Sequence, residues 1–240
     1  MSNNYMVSII TVVYNGEDFL EASIQSVINQ TYENIEYIII DGGSTDNTTK
    51  LIKRYKDKVD YWVSEKDSGV YDAMNKGIDA SNGDFLFFLG ADDLLADNIL
   101  GKIFNDLKNK YVLVYGNVQY NTGSFVKSKF SYKTYLHNTI HHQAAFYDKN
   151  LFKNFRYDKK YKISADYELN LIIFLKYKQN TLYMNNTFSI CGDGGISINH
   201  ANKSHLEMCS IRKKYFPIFI NSILNIFLKL KIYLKRTFKA

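Results

Sequence analysis

The chain has 240 residues, of which 46% are hydrophobic and 22% are charged. This balance is enough for the core of one large domain or two small ones, and it excludes a disordered chain. A single Pro and 13 Gly exclude collagen-like and low-complexity classes. Cys191 and Cys209 make no disulfide framework and match no zinc spacing, which favours a reducing compartment such as the cytoplasm.

The net charge of +6 is unevenly distributed along the chain. Residues 212–240 contain no acidic side chain and eight basic ones: Arg212, Lys213, Lys214, Lys229, Lys231, Lys235, Arg236 and Lys239. The other 22 basic and 24 acidic residues give 1–211 a net charge of −2. A near-neutral body with a basic tail does not fit a protein that binds nucleic acid.

Neither a secretory signal nor a membrane-spanning helix is predicted. The early apolar run 6–14 has no basic segment before it and is followed by a turn at Asn15-Gly16, so we interpret it as a strand. Near the C-terminus, the uncharged stretch 215–228 has 14 residues, fewer than the roughly 20 that a membrane span needs.

Strands and helices alternate in the first half of the chain. Apolar runs predict strands at 7–13, 35–40, 61–64 and 85–89, and helical spacing predicts helices at 17–29, 45–55 and 70–80. Ser44 or Thr45 is expected to cap the second helix. This alternation predicts an α/β fold with a single, Rossmann-like, mostly parallel sheet flanked by helices.

The second half is less regular. The sequence predicts strands at 111–115 and 124–130, a helix at 165–176, and helical structure beyond 202. There is no internal repeat and no Gly/Ser linker, so we expect one domain over 1–200 and a helical tail over 201–240.

Acidic residues follow three successive predicted strands: Asp41, Asp67 and the pair Asp92-Asp93. Ligands bind at the carboxyl ends of strands in open α/β sheets, so these carboxylates should converge. One alone would more often be a cap or turn residue. Together they suggest a divalent cation shared with substrate phosphates. The chain lacks both G-x-x-x-x-G-K-[ST] and G-x-G-x-x-G, which excludes P-loop and dinucleotide cradles.

Several motifs, in this order, resemble family 2 glycosyltransferases with the GT-A fold. They are VSIITVVYN at 7–15, DGGSTDNT at 41–48 and GADD at 90–93. The stretch DSGVYDAMNKG at 67–77, with His142-Gln143 and SADYEL at 164–169, is similar to the bacterial subgroup that builds colanic acid, O-antigen and capsule repeats. The resemblance covers about residues 5–200. It implies a nucleotide-sugar-binding half at 1–110 and an acceptor half at 111–200.

The resemblance implies donor contacts from the first half. The backbone near Val12 and the ring of Tyr14 would border the nucleobase, Asp41 would accept a hydrogen bond from the base, and Asp67 would join the substrate contacts. Asn75, in a matched helical motif, is a further expected substrate contact.

The same resemblance implies a metal site for Mn²⁺ or Mg²⁺. Asp93 would ligate the ion beside the diphosphate, and Asp92 would lie near the ribose or the ion. The alternative for this pair is a helix cap before 94–107. Gly90 stands where the family more often has Asn, which removes one side-chain hydrogen bond. His200 is a further candidate ligand, although a lone His is more often structural.

Asp166 matches the catalytic base of the inverting transferases that the chain resembles. Such a reaction needs one carboxylate to take the proton of the acceptor hydroxyl. The alternative is an acidic residue that opens a helix, where the helix dipole favours it, and the two roles are compatible.

His142 and Gln143 match the subgroup and would contact the acceptor or the diphosphate, with a packing role as the alternative. Adjacent residues on a strand face opposite sides, so only one of His141 and His142 is expected to face the site. Gly195 and Ser197 resemble a late loop that closes over the diphosphate.

The tail combines basic residues with an apolar helical face. That face consists of Phe219, Ile223, Ile226, Phe227, Leu230 and Leu234. A basic amphipathic helix of this kind binds anionic membranes, which predicts a peripheral protein on the inner face of the cell membrane. The alternative is a helix that packs on the domain or on a second subunit in a homodimer.

The leading hypothesis is an inverting hexosyltransferase. Its donor would be a nucleotide sugar, with UDP preferred, and its acceptor a polyprenyl-diphosphate-linked saccharide of surface polysaccharide synthesis. One alternative is a sugar nucleotidyltransferase, which usually has a basic Gly-rich loop near its N-terminus, whereas YNGED at 14–18 has no base. The other is a non-catalytic, membrane-associated scaffold of the same fold, against which the intact Asp41, Asp92, Asp93 and Asp166 argue.

Overall fold

The central strands bury apolar side chains on both faces of one sheet. A computed structural model of the chain describes residues 4–192, 200–217, 219–221 and 224. Its first four strands are parallel, as predicted, and lie in the order β3-β2-β1-β4; they are β1 (Val7–Val13), β2 (Ile35–Asp41), β3 (Tyr61–Ser64) and β4 (Phe85–Gly90). Along β4, Phe85 and Phe87 enter one core and Leu86 and Phe88 the other, because neighbouring strand residues face opposite sides.

Helices cover both faces of this sheet. In chain order they are α1 (Leu20–Ile28), α2 (Thr48–Arg54), α3 (Val70–Ala80), α4 (Ile99–Phe104), α5 (Ala165–Lys176) and α6 (Ala201–Tyr215). Apolar side chains of α1, α2 and α4 belong to one core, and those of α3, α5 and α6 to the other. The layered α/β architecture is therefore confirmed.

The residues after β4 make the sheet mixed. They add β5 (Leu94–Leu95), β6 (Leu113–Tyr120), β7 (Phe125–Val126), β8 (Ala145–Asp148) and β9 (Thr181–Cys191). The order continues β4-β8-β6-β9-β5, with β7 paired to β6. β8 is antiparallel to both its neighbours, whereas β9 is parallel to β6.

Local patterns missed several of these elements. The strands β5 and β8 are too short to show a period, and the predicted strand at 124–130 is only Phe125–Val126. The second helix begins at Thr48, with no capping bond from Ser44 or Thr45. Ser44 binds the Asp41 carboxylate, so the predicted cap holds the preceding turn instead.

Helix α6, which opens the predicted tail, is docked on the domain. Glu207 is buried, and its carboxylate accepts the backbone N–H groups of Lys162, Ile163 and Ser164, each at 2.9 Å. Arg212 is fully buried and donates to the Leu136 carbonyl oxygen at 2.6 Å. Within the described residues, no helix has the length and apolar character to cross a membrane.

We expect Glu207→Ala to lower the free energy of unfolding by roughly 1–3 kcal/mol, the cost of one unsatisfied buried donor. The buried Ser164 N–H would lose its acceptor, whereas the N–H groups of Lys162 and Ile163 are partly buried and can turn to water. Urea denaturation measures the change. Glu207→Gln keeps one acceptor oxygen and should lose less, and exposed Glu33→Ala is the control. A Glu207→Ala protein as stable as wild type would contradict this account of the docking.

Candidate active site

A cavity of about 280 Å³ lies where the two halves of the sheet meet. Five residues predicted from the sequence line it: Asp92, Asp93, His142, Gln143 and Asp166. They come from the turn after β4, the 3-10 turn His142–Ala144 and the first turn of α5. The fold thus brings the expected metal-binding and catalytic carboxylates to one cavity, although 73 positions separate Asp93 from Asp166 in the sequence.

Asp93 is held in place by the protein. Its side chain is buried, and Oδ1 accepts the Gly192 N–H at 3.1 Å. Oδ2 accepts the Gly90 N–H and the Gln143 amide, both at 3.2 Å. Burial, and secondly the charge of Asp92, raise the pKa of Asp93. A cation beside this carboxylate would offset both effects.

Glycine at position 90 lets the two carboxylates meet. A Cβ at Gly90 would lie 2.5 Å from Oδ2 of Asp93 and 3.1 Å from Oδ1 of Asp92, so both oxygens border the same small space. Asp92 is exposed and receives no hydrogen bond from any described residue. The replacement of the family's usual Asn therefore does more than remove a hydrogen bond. In this conformation, a side chain at position 90 would clash with the carboxylates of Asp92 and Asp93, which we call the acidic pair.

This pair fits a hard divalent cation. Both residues supply oxygen donors, and Mg²⁺ in particular is often bound by one or two carboxylates together with water and substrate phosphates. In the part of the chain that the structure describes, no group of three or more His, Cys, Asp or Glu residues could hold an ion by itself. Asp92 and Asp93 would therefore share the ion with the substrate.

Asp166 is anchored at both of its carboxylate oxygens. Oδ2 accepts the Asn138 amide at 2.7 Å. Oδ1 lies 3.0 Å from the hydroxyl of Tyr71, a residue of α3, whose one proton is shared with the Ile163 carbonyl oxygen at 2.8 Å. His142 Nδ1 lies 3.3 Å from Oδ2. Burial, and secondly the charge of Asp166, raise the pKa of Tyr71, so its hydroxyl remains a donor. The side chain is mostly buried, yet it lines the cavity and is available to a substrate there.

Both adjacent histidines line the cavity, so the expectation that only one faces the site is wrong. That expectation assumed a strand, whereas His142 begins a 3-10 turn and His141 precedes it in extended conformation. Burial, and secondly the charge of His142, lower the pKa of His141, so its ring is neutral at neutral pH.

The expected donor contacts lie outside the described lining of this cavity. Tyr14 is 63% exposed at the end of β1 and is free to stack on a flat ligand. Asp41 is fully buried, and its carboxylate accepts the Ser44 N–H at 3.1 Å and the hydroxyls of Ser44 and Ser64. It therefore holds the turn after β2. Its role toward the base stays a prediction, as does that of partly buried Val12.

Asp67 packs against this same turn. A Cβ at Gly42 would lie 2.5 Å from its Oδ2. Its Oδ1 accepts the Gly69 N–H at 2.8 Å. The proximity of Asp67 to the turn after β2 agrees with the prediction that the strand-end carboxylates gather at one edge.

Other predicted residues are placed elsewhere. The Asn75 amide makes two hydrogen bonds to the Tyr157 backbone, at 2.8 and 2.9 Å, and ties α3 to the 157 segment; this leaves the predicted substrate contact unsupported. His200 is exposed at the start of α6, and the cavity lining does not include it. Gly195 and Ser197 lie outside the described residues.

Sequence reasoning missed most of what surrounds Asp166. Tyr71 belongs to the DSGVYDAMNKG motif at 67–77, so its motif was found but its role was not. Asn138 has no motif signal. Ser204 and Met208 also line the cavity, which makes α6 one of its walls.

The chain is similar in sequence to known glycosyltransferases. Residues 8–191 match the family model described as glycosyl transferase family 2. The chain belongs to this family. It is 32% identical over 216 residues to the PGL/p-HBAD biosynthesis glycosyltransferase of Mycobacterium bovis, covering 84% of this chain and 83% of that protein. A glycosyltransferase of Haemophilus influenzae is 32% identical over 210 residues, covering 82% and 83%.

Solved structures support the GT-A fold of this family 2 glycosyltransferase. TarS 1–349 of S. aureus in complex with UDP-GlcNAc matches with a TM-score of 0.70 and 16% identity, over 86% of this chain and 65% of that one. The mannosyltransferase PcManGT of Pyrobaculum calidifontis, in complex with GDP-Man and Mn²⁺, matches with a TM-score of 0.65 and 15% identity, over 94% and 70%. At such identities the likeness shows the fold alone.

We expect Asp93→Asn to lower the transfer rate by roughly 100-fold or more. A metal ion at a reacting phosphate contributes several kcal/mol, and the amide removes the charge that would hold it. The protein should remain folded, because Asn has the same size and keeps one acceptor oxygen. Steady-state kinetics measure the transfer rate, calorimetric titration with Mn²⁺ and nucleotide measures the metal affinity, and exposed Asp97→Asn is the control for both. Wild-type metal affinity and activity in the Asp93→Asn protein would refute the assignment.

Proposed function

We propose that this family 2 glycosyltransferase moves a hexose from a nucleotide sugar, preferably a UDP-sugar, to a polyprenyl-diphosphate-linked saccharide. The reaction would invert the anomeric carbon, use Mn²⁺ or Mg²⁺, and form a β-linkage in a surface polysaccharide such as O-antigen, capsule or exopolysaccharide. The observation that carries the proposal is the presence of Asp166 in one cavity with Asp92 and Asp93.

An inverting transfer needs one base on the acceptor side of the reacting carbon. The acceptor hydroxyl oxygen forms a bond to the anomeric carbon while the bond from that carbon to the nucleotide diphosphate breaks. Asp166 would take the hydroxyl proton, and the electron pair of the broken bond would leave with the diphosphate. Tyr71 and Asn138 hold the Asp166 carboxylate, so it would accept this proton without first reorienting.

The acidic pair would act on the donor side. A divalent cation bound by Asp92 and Asp93 would offset the charge of the departing diphosphate. The donor class draws support from two structural neighbours, one bound to UDP-GlcNAc and the other to GDP-Man with Mn²⁺. The preference for UDP rests on the resemblance described above.

Membership of family 2 favours the glycosyltransferase over both alternatives. A sugar nucleotidyltransferase would need a basic, Gly-rich loop after β1, and residues 14–18 contain no base. A scaffold without chemistry would have no need for the anchored Asp166 beside the acidic pair.

We also propose that the end of the chain holds the protein on the cytoplasmic face of the membrane. The docked helix reduces the charge available for this role, because Arg212 is buried and Lys214 pairs with Glu168 at 2.9 Å. Five basic residues remain beyond Pro217: Lys229, Lys231, Lys235, Arg236 and Lys239. Of the predicted apolar face, Phe219 is 65% exposed, and the other five members lie outside the described residues: Ile223, Ile226, Phe227, Leu230 and Leu234.

Asp166→Asn is expected to lower kcat by roughly 100-fold or more, with donor affinity nearly unchanged, because an amide cannot accept the proton at neutral pH. Steady-state kinetics with a UDP-sugar and a synthetic diphosphate-lipid acceptor measure the effect. Asp79→Asn, which changes an exposed carboxylate paired with Arg156, is the matched control.

Three outcomes would contradict the proposed reaction. If the kcat of Asp166→Asn were within a few-fold of wild type, Asp166 would not be the catalytic base. An α-linked product formed from an α-linked donor, read from its anomeric proton signal by NMR, would exclude inversion. Equal loss of donor binding would reassign Asp166 to nucleotide recognition.

Deletion of 218–240 is expected to abolish flotation of the protein with anionic liposomes, while α6 stays docked. Each engaged base near an anionic surface contributes about 1 kcal/mol, so five bases suffice for reversible binding. A full-length variant with these five residues replaced by Gln separates the charges from the apolar face. Equal flotation of the truncated and intact proteins would reject the membrane role and favour packing on a second subunit.

A further inference from the structure

A series of hydrogen-bonded amides leads from the buried Asn170 through the partly buried Asn138 to the carboxylate of Asp166. Asn170, in the middle of α5, is fully buried, and an amide there is costly unless it is hydrogen-bonded. Its Oδ1 accepts the Tyr147 hydroxyl at 3.0 Å, and its Nδ2 donates at 3.0 Å to Oδ1 of Asn138 and to the Ile140 carbonyl oxygen. Every polar atom of the Asn170 side chain is therefore used.

Asn138 continues this series to the cavity. Its Oδ1 accepts from Asn170, and its Nδ2 donates to Oδ2 of Asp166 at 2.7 Å. Rotating the amide by half a turn would place its oxygen against the carboxylate and its NH₂ against the NH₂ of Asn170. The two neighbours thus allow a single orientation of the Asn138 amide.

The direction of donation along this series of hydrogen bonds is set in the core. Tyr147 is fully buried, and burial raises the pKa of its hydroxyl, which therefore remains a donor throughout the working pH range. Donation runs from Tyr147 to Asn170, from Asn170 to Asn138, and from Asn138 to Asp166. Such aligned bonds reinforce one another in a low-dielectric interior.

We propose that Asn138 is a positioning residue for Asp166, and that the chain Tyr147–Asn170–Asn138 sets the orientation of the carboxylate toward the acceptor hydroxyl. The inference rests on the role of Asp166 in the proposed function. Asn138 binds Oδ2 at 2.7 Å, whereas the single proton of the Tyr71 hydroxyl is shared between Oδ1 at 3.0 Å and the Ile163 carbonyl oxygen at 2.8 Å, so Asn138 is the stronger of the two contacts that orient the carboxylate. Without Asn138, the longer contact to His142 is the remaining described side-chain contact at Oδ2.

The test compares Asn138→Ala in two backgrounds. In the wild-type background we expect kcat to fall roughly 10- to 100-fold with an unchanged KM for the donor, since misplacement of a reacting group by 1 Å can cost about 100-fold. In the Asp166→Asn background, the same change should cost little more, because no base remains to be oriented. Asn150→Ala is the matched control, since it removes an amide–carboxylate bond of 2.9 Å to Asp148, outside the described cavity lining.

The outcomes separate this inference from the proposed function. A loss of the same size in both backgrounds, or a loss confined to KM, would show that Asn138 acts structurally and would overturn the inference while Asp166 remains the base. Full activity of the single variant Asp166→Asn would overturn the proposed function, and the inference about Asn138 with it. Melting temperatures are measured throughout. If the alanine variant does not fold, Asn138→Ser, whose hydroxyl is too short to span the contact, is tested by the same criteria.

Discussion

The carboxylate of Glu207 is the interaction on which the assembled site depends. It accepts three consecutive backbone N–H groups at 162–164, directly before the helix that carries Asp166. Five residues later on α6, the buried guanidinium of Arg212 binds the carbonyl of Leu136, two residues before Asn138. One helix therefore holds both segments that meet at Asp166. Their contact in the cavity follows from this docking.

At the acidic pair, burial and charge act in the same direction. Asp93 is buried beside a second carboxylate, and both circumstances disfavour its ionised form. Two backbone N–H groups and the Gln143 amide hold its oxygens in place, while Asp92 stays open to solvent. This arrangement leaves excess negative charge at a fixed position, which suits a cation that arrives with a phosphate-bearing substrate.

Much of the fold and part of the site could be predicted from local patterns. The apolar run at 35–40 followed by Asp41 indicates a buried strand with a carboxylate at its carboxyl end, where ligands bind in such sheets. Asp92 and Asp93 are predicted in the same way, as carboxylates after a strand, whereas Asp166 is predicted only through the resemblance of the motif at 164–169 to family 2 glycosyltransferases. Such local patterns fail for β8, which has four residues, and for His141 and His142, whose 3-10 turn has no periodic signal.

The sequence by itself determined the parallel first half of the sheet, the edge at which the acidic residues gather, and the resemblance to family 2 glycosyltransferases. These follow from periodicity and short motifs, which are local properties of the chain. Only the tertiary structure decided which side chains meet Asp166, since Tyr71 lies 95 residues away in the sequence and Asn138 lies 28 residues away. The tertiary structure also decided that α6 belongs to the wall of the cavity. Contacts between distant segments depend on how helices dock on the sheet, and a single sequence contains no local signal for that docking.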